Sequence, residues 1–115
     1  MYKLAAVFSF LAAPVLATGL QIEVAGEGAN GVITVDLLED VAPNHVAHIA
    51  ALAADGIYDN VVFHRVIDGF MAQTGDVQYG KAGADTSRAG MGGSDKPDLK
   101  AEFSEVPYDR GIVGM

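Results

Sequence analysis

Apolar and polar residues alternate along the early part of the chain with the two-residue period of half-buried strands. Residues 20–24 alternate strictly, and residues 32–37 form a second run that is rich in β-branched side chains. Between them, residues 26–31 are mostly glycine and other turn-forming residues. The pattern predicts an antiparallel hairpin with a slightly long loop.

The hydrophobic period then changes to that of a helix. Pro43 suits the first turn, where the missing N–H has no helical partner to lose. Asp55 and Gly56 end the pattern, and Gly56 is suited to a left-handed C-terminal position. Four apolar residues fall on one face at helical spacing, namely Val46, Ile49, Ala50 and Ala53.

Three further strands are predicted in the second half. Residues 61–66 are rich in β-branched side chains, Gly69 marks a turn, and residues 70–74 form the next strand. Residues 75–97 are rich in Gly, Ser and Asp and show little periodicity, which predicts a long loop of functional or mobile character. Residues 111–115 begin another strand.

The N-terminal segment has the features of a signal peptide. Lys3 gives a positive start, residues 4–11 are apolar, Pro14 breaks any helix, and residues 15–17 have the small-residue spacing of a cleavage site. We expect a signal peptide at 1–17, a domain at 18–115, and export to a bacterial periplasm without a membrane anchor. The apolar run is shorter than the roughly 20 residues of a membrane-spanning helix. The alternative is a buried N-terminal strand or a short helix.

Composition narrows the classes of function. At 115 residues the chain has room for one domain. Its formal net charge of −8 argues against binding to nucleic acid or to anionic lipid. Because there is no cysteine, disulfides, thiolate nucleophiles and cysteine-based metal sites are excluded.

Two glycine patterns resemble nucleotide-binding motifs and fail for physical reasons. Gly26, Gly28 and Gly31 match the dinucleotide fingerprint, but a β-branched run follows where a helix must begin. Residues 75–82 nearly match a P-loop, but Ala82 replaces the hydroxyl that binds Mg²⁺ and Asp76 would repel phosphate. We therefore predict turns at both places.

Other polar side chains suggest no metal site, cofactor or nucleophile. His45 and His48 could share a helix face, but no carboxylate is spaced to complete a metal site, so we predict solvated histidines. His64 is interpreted as a packed structural residue. Ser87 and Ser94 have no neighbouring acid–base pair for hydrolase chemistry.

Residues 63–76 carry the most specific chemistry. They combine a lone cation, Arg65, with the apolar Phe70 and Met71 and the amide of Gln73 in one strand–turn–strand unit. Such a set suits a neutral, apolar ligand with one polar bond. By position alone, Arg65 is more often a partly exposed edge residue whose stem covers apolar surface.

This run closely resembles the signature of the cyclophilins, and Pro43 before a helix, residues 56–59 and residues 98–103 are similar to bacterial members. The resemblance implies a mainly β fold, a cyclophilin-like antiparallel β-barrel with capping helices. It implies that Arg65 is catalytic, that Phe70 and Met71 line a proline pocket, and that Gln73 binds the substrate backbone. Strict alternation would put Phe70 on the opposite face from Met71 and Gln73, so a bulge or twist at Gly69 is expected.

The resemblance also implies an activity, peptidyl-prolyl cis-trans isomerisation of proline-containing polypeptides without a cofactor. The chain ends before the segments that complete the pocket in the family, so we expect the N-terminal part of a barrel that is incomplete at the C-terminus. Three alternatives stay open: a non-catalytic proline-peptide binding module, an inactive fragment and a secreted structural β-domain. The sequence leaves the oligomeric state unknown.

Overall fold

The computed structural model describes residues 2–10 and 16–115. The described elements form a three-stranded sheet of order β1-β2-β3, one helix, and a separate two-stranded sheet of β4 and β5. All strand pairs are antiparallel. In chain order the elements are β1 (Tyr2–Phe10), β2 (Leu16–Val24), β3 (Gly31–Asp36), α1 (Pro43–Ala54), β4 (Phe63–Ile67) and β5 (Met71–Thr74).

The predicted N-terminal hairpin is confirmed as the pair β2 and β3. Its ladder runs from the pair Gly19–Asp36 to the pair Val24–Gly31. In the connecting loop the backbone N–H of Gly26 donates to Oδ1 of Asn30, and Gly28 takes a positive φ of 73°. The glycines that mimic a dinucleotide fingerprint therefore belong to a hairpin loop followed by a strand.

β1 covers the other edge of β2, with pairs from Tyr2–Val24 to Phe10–Leu16. This pairing belongs to the uncleaved chain. Residue 1 and residues 11–15, which are part of the predicted signal peptide, lie outside the described residues. Cleavage after Ala17 would remove β1 and leave the β2–β3 ladder whole, because that ladder uses only residues 19–24 of β2. Processing of this segment stays a prediction.

α1 lies against β1 and β2 and has the predicted limits. Pro43 occupies its first turn, and Gly56 follows its end with a φ of 73°. The buried cluster joins Leu20 of β2 to Leu52 and Ala53 of α1 and to Tyr58. Leu52 was not on the predicted apolar face, although Ala50 and Ala53 were and are buried. No helix in the described part of the chain is long and apolar enough to cross a membrane.

The prediction of a β-barrel with capping helices is met only in part. The described residues are organised as two small antiparallel sheets and one helix, without a closed barrel. Three strands in one sheet and two in another are too few to close, since even small barrels use about eight. The predicted strand at 111–115 is wrong, because this segment contains a turn in which Ile112 N–H donates to the Asp109 carbonyl.

Candidate active site

The β4–β5 hairpin positions the polar residues of the candidate site. Arg65 lies directly opposite Gln73, and Ile67 lies opposite Met71. Cross-strand partners project to the same face of a sheet, and so do residues two apart on one strand. Arg65, Met71 and Gln73 therefore share one face. Arg65 and Gln73 are exposed, and Met71 is half-buried.

A β-bulge in β4 determines this arrangement. The ladder pairs Phe63 with Thr74 and then shifts register before Arg65. Without the shift, Arg65 would lie opposite Ala72 and would face away from Gln73. His64 is the extra residue that the bulge accommodates. The irregularity that we predicted at Gly69 therefore lies five residues earlier.

Gly69 instead turns the chain between the two strands. It takes a φ of 75°, and the Phe70 N–H donates to the Ile67 carbonyl at 3.0 Å. Phe70 is the last residue of this turn, lies outside β5, and is 71 % exposed. The alternation rule therefore does not apply to Phe70, which lies in the turn at the tip of the hairpin.

A buried carboxylate organises the loop after the hairpin. Asp76 is only 4 % exposed. Its Oδ1 accepts the N–H groups of Gln78 and Tyr79 at 3.0 and 2.8 Å, and its Oδ2 accepts those of Gly90 and Gly92 at 2.7 and 3.0 Å. Burial by itself would raise the pKa of Asp76, but the four hydrogen bonds outweigh it and lower the pKa below its ordinary value.

These contacts explain why residues 75–82 resemble a phosphate-binding loop. Backbone N–H groups converge on an anion, as in a P-loop, but the anion is the carboxylate of Asp76. A Cβ on Gly80 would lie 2.5 Å from the Asp76 carbonyl oxygen, so only glycine fits there. The glycines that suggested phosphate binding therefore let the loop close around its own acid.

A lysine ties the same loop to the core. Lys81 Nζ donates to the carbonyls of Ile57 and Asp59 at 2.6 and 2.9 Å. Its backbone forms an isolated bridge with Val61, which is fully buried. Sequence reasoning missed the roles of Asp76 and Lys81. The signal that could have found Asp76 is an acidic residue at the start of a glycine-rich loop, where free N–H groups need an acceptor.

The carboxylate of Glu102, from the C-terminal part of the chain, binds the start of α1. Glu102 accepts the backbone N–H groups of Asn44 and His45 at 3.2 and 2.8 Å and the side-chain amide of Asn44 at 3.2 Å. Its Oε1 also lies 3.4 Å from Nδ1 of His45. Desolvation would raise the pKa of Glu102, but these hydrogen bonds and the charge of His45 lower it. The prediction of a solvated His45 is wrong, since its side chain is only 20 % exposed.

A cleft of about 490 Å³ opens near this end of the helix, away from the hairpin. None of the four predicted site residues lines it; its walls include His45, His48, Ser94, Lys96 and Leu99. Within residues 2–10 and 16–115, no group of three or more His, Asp or Glu side chains could hold a metal ion. The candidate site is therefore the open face of the hairpin.

Comparisons with known proteins identify the family of this chain. Residues 20–115 match the family described as cyclophilin type peptidyl-prolyl cis-trans isomerase/CLD. A probable peptidyl-prolyl cis-trans isomerase of Brucella suis biovar 1 (strain 1330) is 54 % identical over 88 residues, which cover 75 % of this chain and 45 % of the relative. The chain therefore belongs to the cyclophilin-type peptidyl-prolyl isomerase family.

More distant relatives carry the same activity in their names. A peptidyl-prolyl cis-trans isomerase of Synechococcus elongatus (strain ATCC 33912 / PCC 7942 / FACHB-805) is 47 % identical over 91 residues, covering 77 % of this chain and 54 % of the relative. The chain thus spans about half the length of these curated relatives. No solved structure gives a significant match.

Proposed function

We propose that this chain carries the catalytic face of a peptidyl-prolyl cis-trans isomerase that accelerates rotation about X-Pro bonds. The observation that carries the proposal is the pairing of Arg65 with Gln73 across the hairpin, with Met71 on the same face. Membership of the cyclophilin-type family supports it. The substrates are proline-containing segments of polypeptides.

The chemistry requires only one well-placed donor. Rotation about a peptide bond meets a barrier of about 18–20 kcal/mol, because the nitrogen lone pair is delocalised into the carbonyl. Twisting the bond localises that lone pair on the prolyl nitrogen. A guanidinium N–H of Arg65 aimed at this nitrogen bonds more strongly to the twisted amide than to the planar one. The enzyme thereby stabilises the transition state more than the bound substrate.

The neighbouring residues hold the substrate in both states. Phe70 and Met71 contact the proline ring, and the amide of Gln73 pairs with the substrate backbone. Because Arg65 and Gln73 are exposed in the free chain, the bound peptide itself must exclude water from the donor and strengthen its bond. The step needs no proton transfer and no covalent intermediate.

The exposure of Arg65 and Gln73 also favours a second candidate, a proline-peptide binding module without turnover. The two functions separate in one experiment, nuclear magnetic resonance exchange spectroscopy of an X-Pro peptide with the complete gene product. Faster cis–trans exchange supports the isomerase. Binding with unchanged exchange supports the module and overturns the isomerase.

We further propose that the protein is exported and acts on other exported polypeptides. Support comes from Lys3, the apolar run at 4–11 and the small-residue spacing of a cleavage site at 15–17. N-terminal sequencing of the protein from a periplasmic extract should begin at Thr18. A periplasmic protein that still begins at Met1 would contradict cleavage, and absence of the protein from the extract would contradict export.

A further inference from the structure

The β-bulge at His64 lies against a second part of the chain. The backbone of Gly90 passes directly beside the imidazole ring. A Cβ on Gly90 would lie 3.1 Å from both Cδ2 and Nε2 of His64. Nδ1 of His64 is buried and has no hydrogen-bond partner in the described part of the chain, so packing holds the ring. Gly90 is thus a direct constraint on the bulge residue.

Gly90 is itself held in place. Its N–H donates to Oδ2 of Asp76 at 2.7 Å, and Asp76 is anchored in turn by Gln78, Tyr79 and Gly92. Asp76 comes three residues after Gln73 along the chain. The loop therefore leaves β5, closes around Asp76, and returns to lie against His64 of β4.

We propose that Gly90, fixed by Asp76, is a positioning residue for the catalytic arginine. It holds the His64 ring, the ring holds the bulge, and the bulge places Arg65 opposite Gln73. In this proposal Gly90 acts through the His64 ring, whose Cδ2 and Nε2 are the atoms that a Cβ on Gly90 would meet within 4 Å. The proposal rests on the proposed isomerase activity, for which an arginine on the same face as Met71 and Gln73 is needed.

The chain offers a matched pair of glycines for the test. Gly90 has a φ of 99° and the close contact with His64, whereas Gly83 has a φ of 86° in the same loop and no atom within 4 Å of its Cβ position. Alanine is strained by the positive φ at both positions. Only Gly90→Ala also pushes on the His64 ring, so the difference between the variants isolates that contact.

The experiment measures kcat and KM for an X-Pro peptide with the complete gene product and both variants. We expect Gly90→Ala to lower kcat between about tenfold and 10²-fold, the effect of displacing a catalytic group by about an ångström. KM should stay close to wild type, because Phe70 and Met71 still hold the ring. Gly83→Ala should leave both constants within about twofold of wild type. Equal kcat values for the two variants would overturn the proposal.

A double-mutant cycle tests the route through His64. In a His64→Ala background, Gly90→Ala should lower kcat no more than Gly83→Ala does, because the ring on which the new methyl group pushes is gone. An unchanged effect of Gly90→Ala in this background would show that His64 does not transmit it, and would overturn the route.

A spectroscopic readout separates this proposal from the proposed function. The Nε–H resonance of Arg65 should shift in Gly90→Ala and stay in place in Gly83→Ala, with or without peptide. If the wild type accelerates no exchange, the isomerase proposal fails while this shift still reports on positioning. If the wild type is active and the Arg65 resonance does not move, the positioning proposal alone fails.

Discussion

The β4–β5 hairpin and the loop after it differ in how they are held. The hairpin is regular, yet it has only two strands and exposes Val66 on one face and Arg65 on the other. The loop from Gly75 to Gly92 has hardly any regular structure, yet Asp76 gathers four of its N–H groups and Lys81 fastens it to two carbonyls near the core.

The comparison shows that regular secondary structure and fixed position are separate properties. An isolated two-stranded hairpin is at best marginally stable in water. The irregular loop supplies the support. Its hydrogen bonds to the buried Asp76 carboxylate join residues up to sixteen positions apart along the chain. The proposed chemistry lies on the hairpin, and we propose that the loop keeps the hairpin in register.

The largest expected effect is on the hairpin itself. Arg65→Ala should slow X-Pro isomerisation by about 10²–10³-fold, the usual consequence of losing one preorganised donor. Peptide binding should change far less, because the arginine acts on the twisted amide. Arg65→Lys should not restore the rate fully, since a flexible ammonium cannot reproduce the planar guanidinium.

Exchange spectroscopy on the peptide measures rate and binding together. Arg110→Ala removes the same charge from an exposed position and serves as the control. An Arg65→Ala protein that isomerises the peptide at nearly the wild-type rate would remove Arg65 from the catalytic role.

The next effect concerns the loop. Asp76→Asn should destabilise the protein by about 2 kcal/mol, because an amide has one acceptor oxygen and leaves buried N–H groups without a partner. The pKa of Asp76 is lower in the folded state, so its contribution is present above the ordinary pKa and disappears as the pH falls through the lowered value. The stability difference between wild type and variant should therefore shrink below about pH 4.

Denaturant unfolding between pH 2 and pH 7 checks both statements (about five points suffice for a dependence this broad). Asp85→Asn is the control, since Asp85 is an exposed acid of the same loop that accepts one N–H, from Ser87. Equal stability losses for the two variants would show that the Asp76 contacts do not hold the loop.

A smaller effect is expected at the tip of the hairpin. Phe70→Ala should weaken peptide binding and isomerisation together, by roughly tenfold, because the ring contacts the proline in the ground state and the transition state alike. Folding stability should hardly change, since the side chain is 71 % exposed. Phe103→Ala, at a residue that is 95 % exposed, is the control. A fall in rate at constant affinity would reassign Phe70 to the transition state.

The smallest expected effect is at the start of α1. Glu102→Gln should lower the hydrogen-exchange protection of the Asn44 and His45 amides severalfold, because charged acceptors bind N–H groups more strongly than neutral ones. The pKa of Glu102 is lowered, so wild-type protection should approach that of the variant as the pH falls through the lowered value. Glu105→Gln is the control, and equal protection in all three proteins would contradict the contact.

Local pattern was sufficient for the elements whose signals lie close together in sequence. Strict alternation located part of β2, a β-branched run located β3, and Pro43 and Gly56 marked the ends of α1. The grouping of Arg65, Met71 and Gln73 followed from resemblance and spacing, and the structure places these three on one face. Their catalytic roles remain predictions.

The missed features all depend on distant partners. His64, at the bulge, lies against Gly90, 26 residues later in the chain, and no local pattern in β4 marks the bulge. Asp76 lies in a sequence context typical of solvated loop acids. It is buried because the chain returns to it at Gly90 and Gly92. The strand predicted at 111–115 failed for a related reason, because β-branched residues extend into a strand only beside a partner with free backbone groups.

The contact between Glu102 and α1 has a consequence for the timing of synthesis. The backbone N–H groups of Asn44 and His45 donate to an acceptor that is encoded 58 and 57 residues later, respectively. At about 5–20 residues per second, the ribosome adds Asn44 and His45 roughly 3–12 seconds before Glu102 exists. During that interval the N–H groups of Asn44 and His45 lack the acceptor that they have in the folded chain.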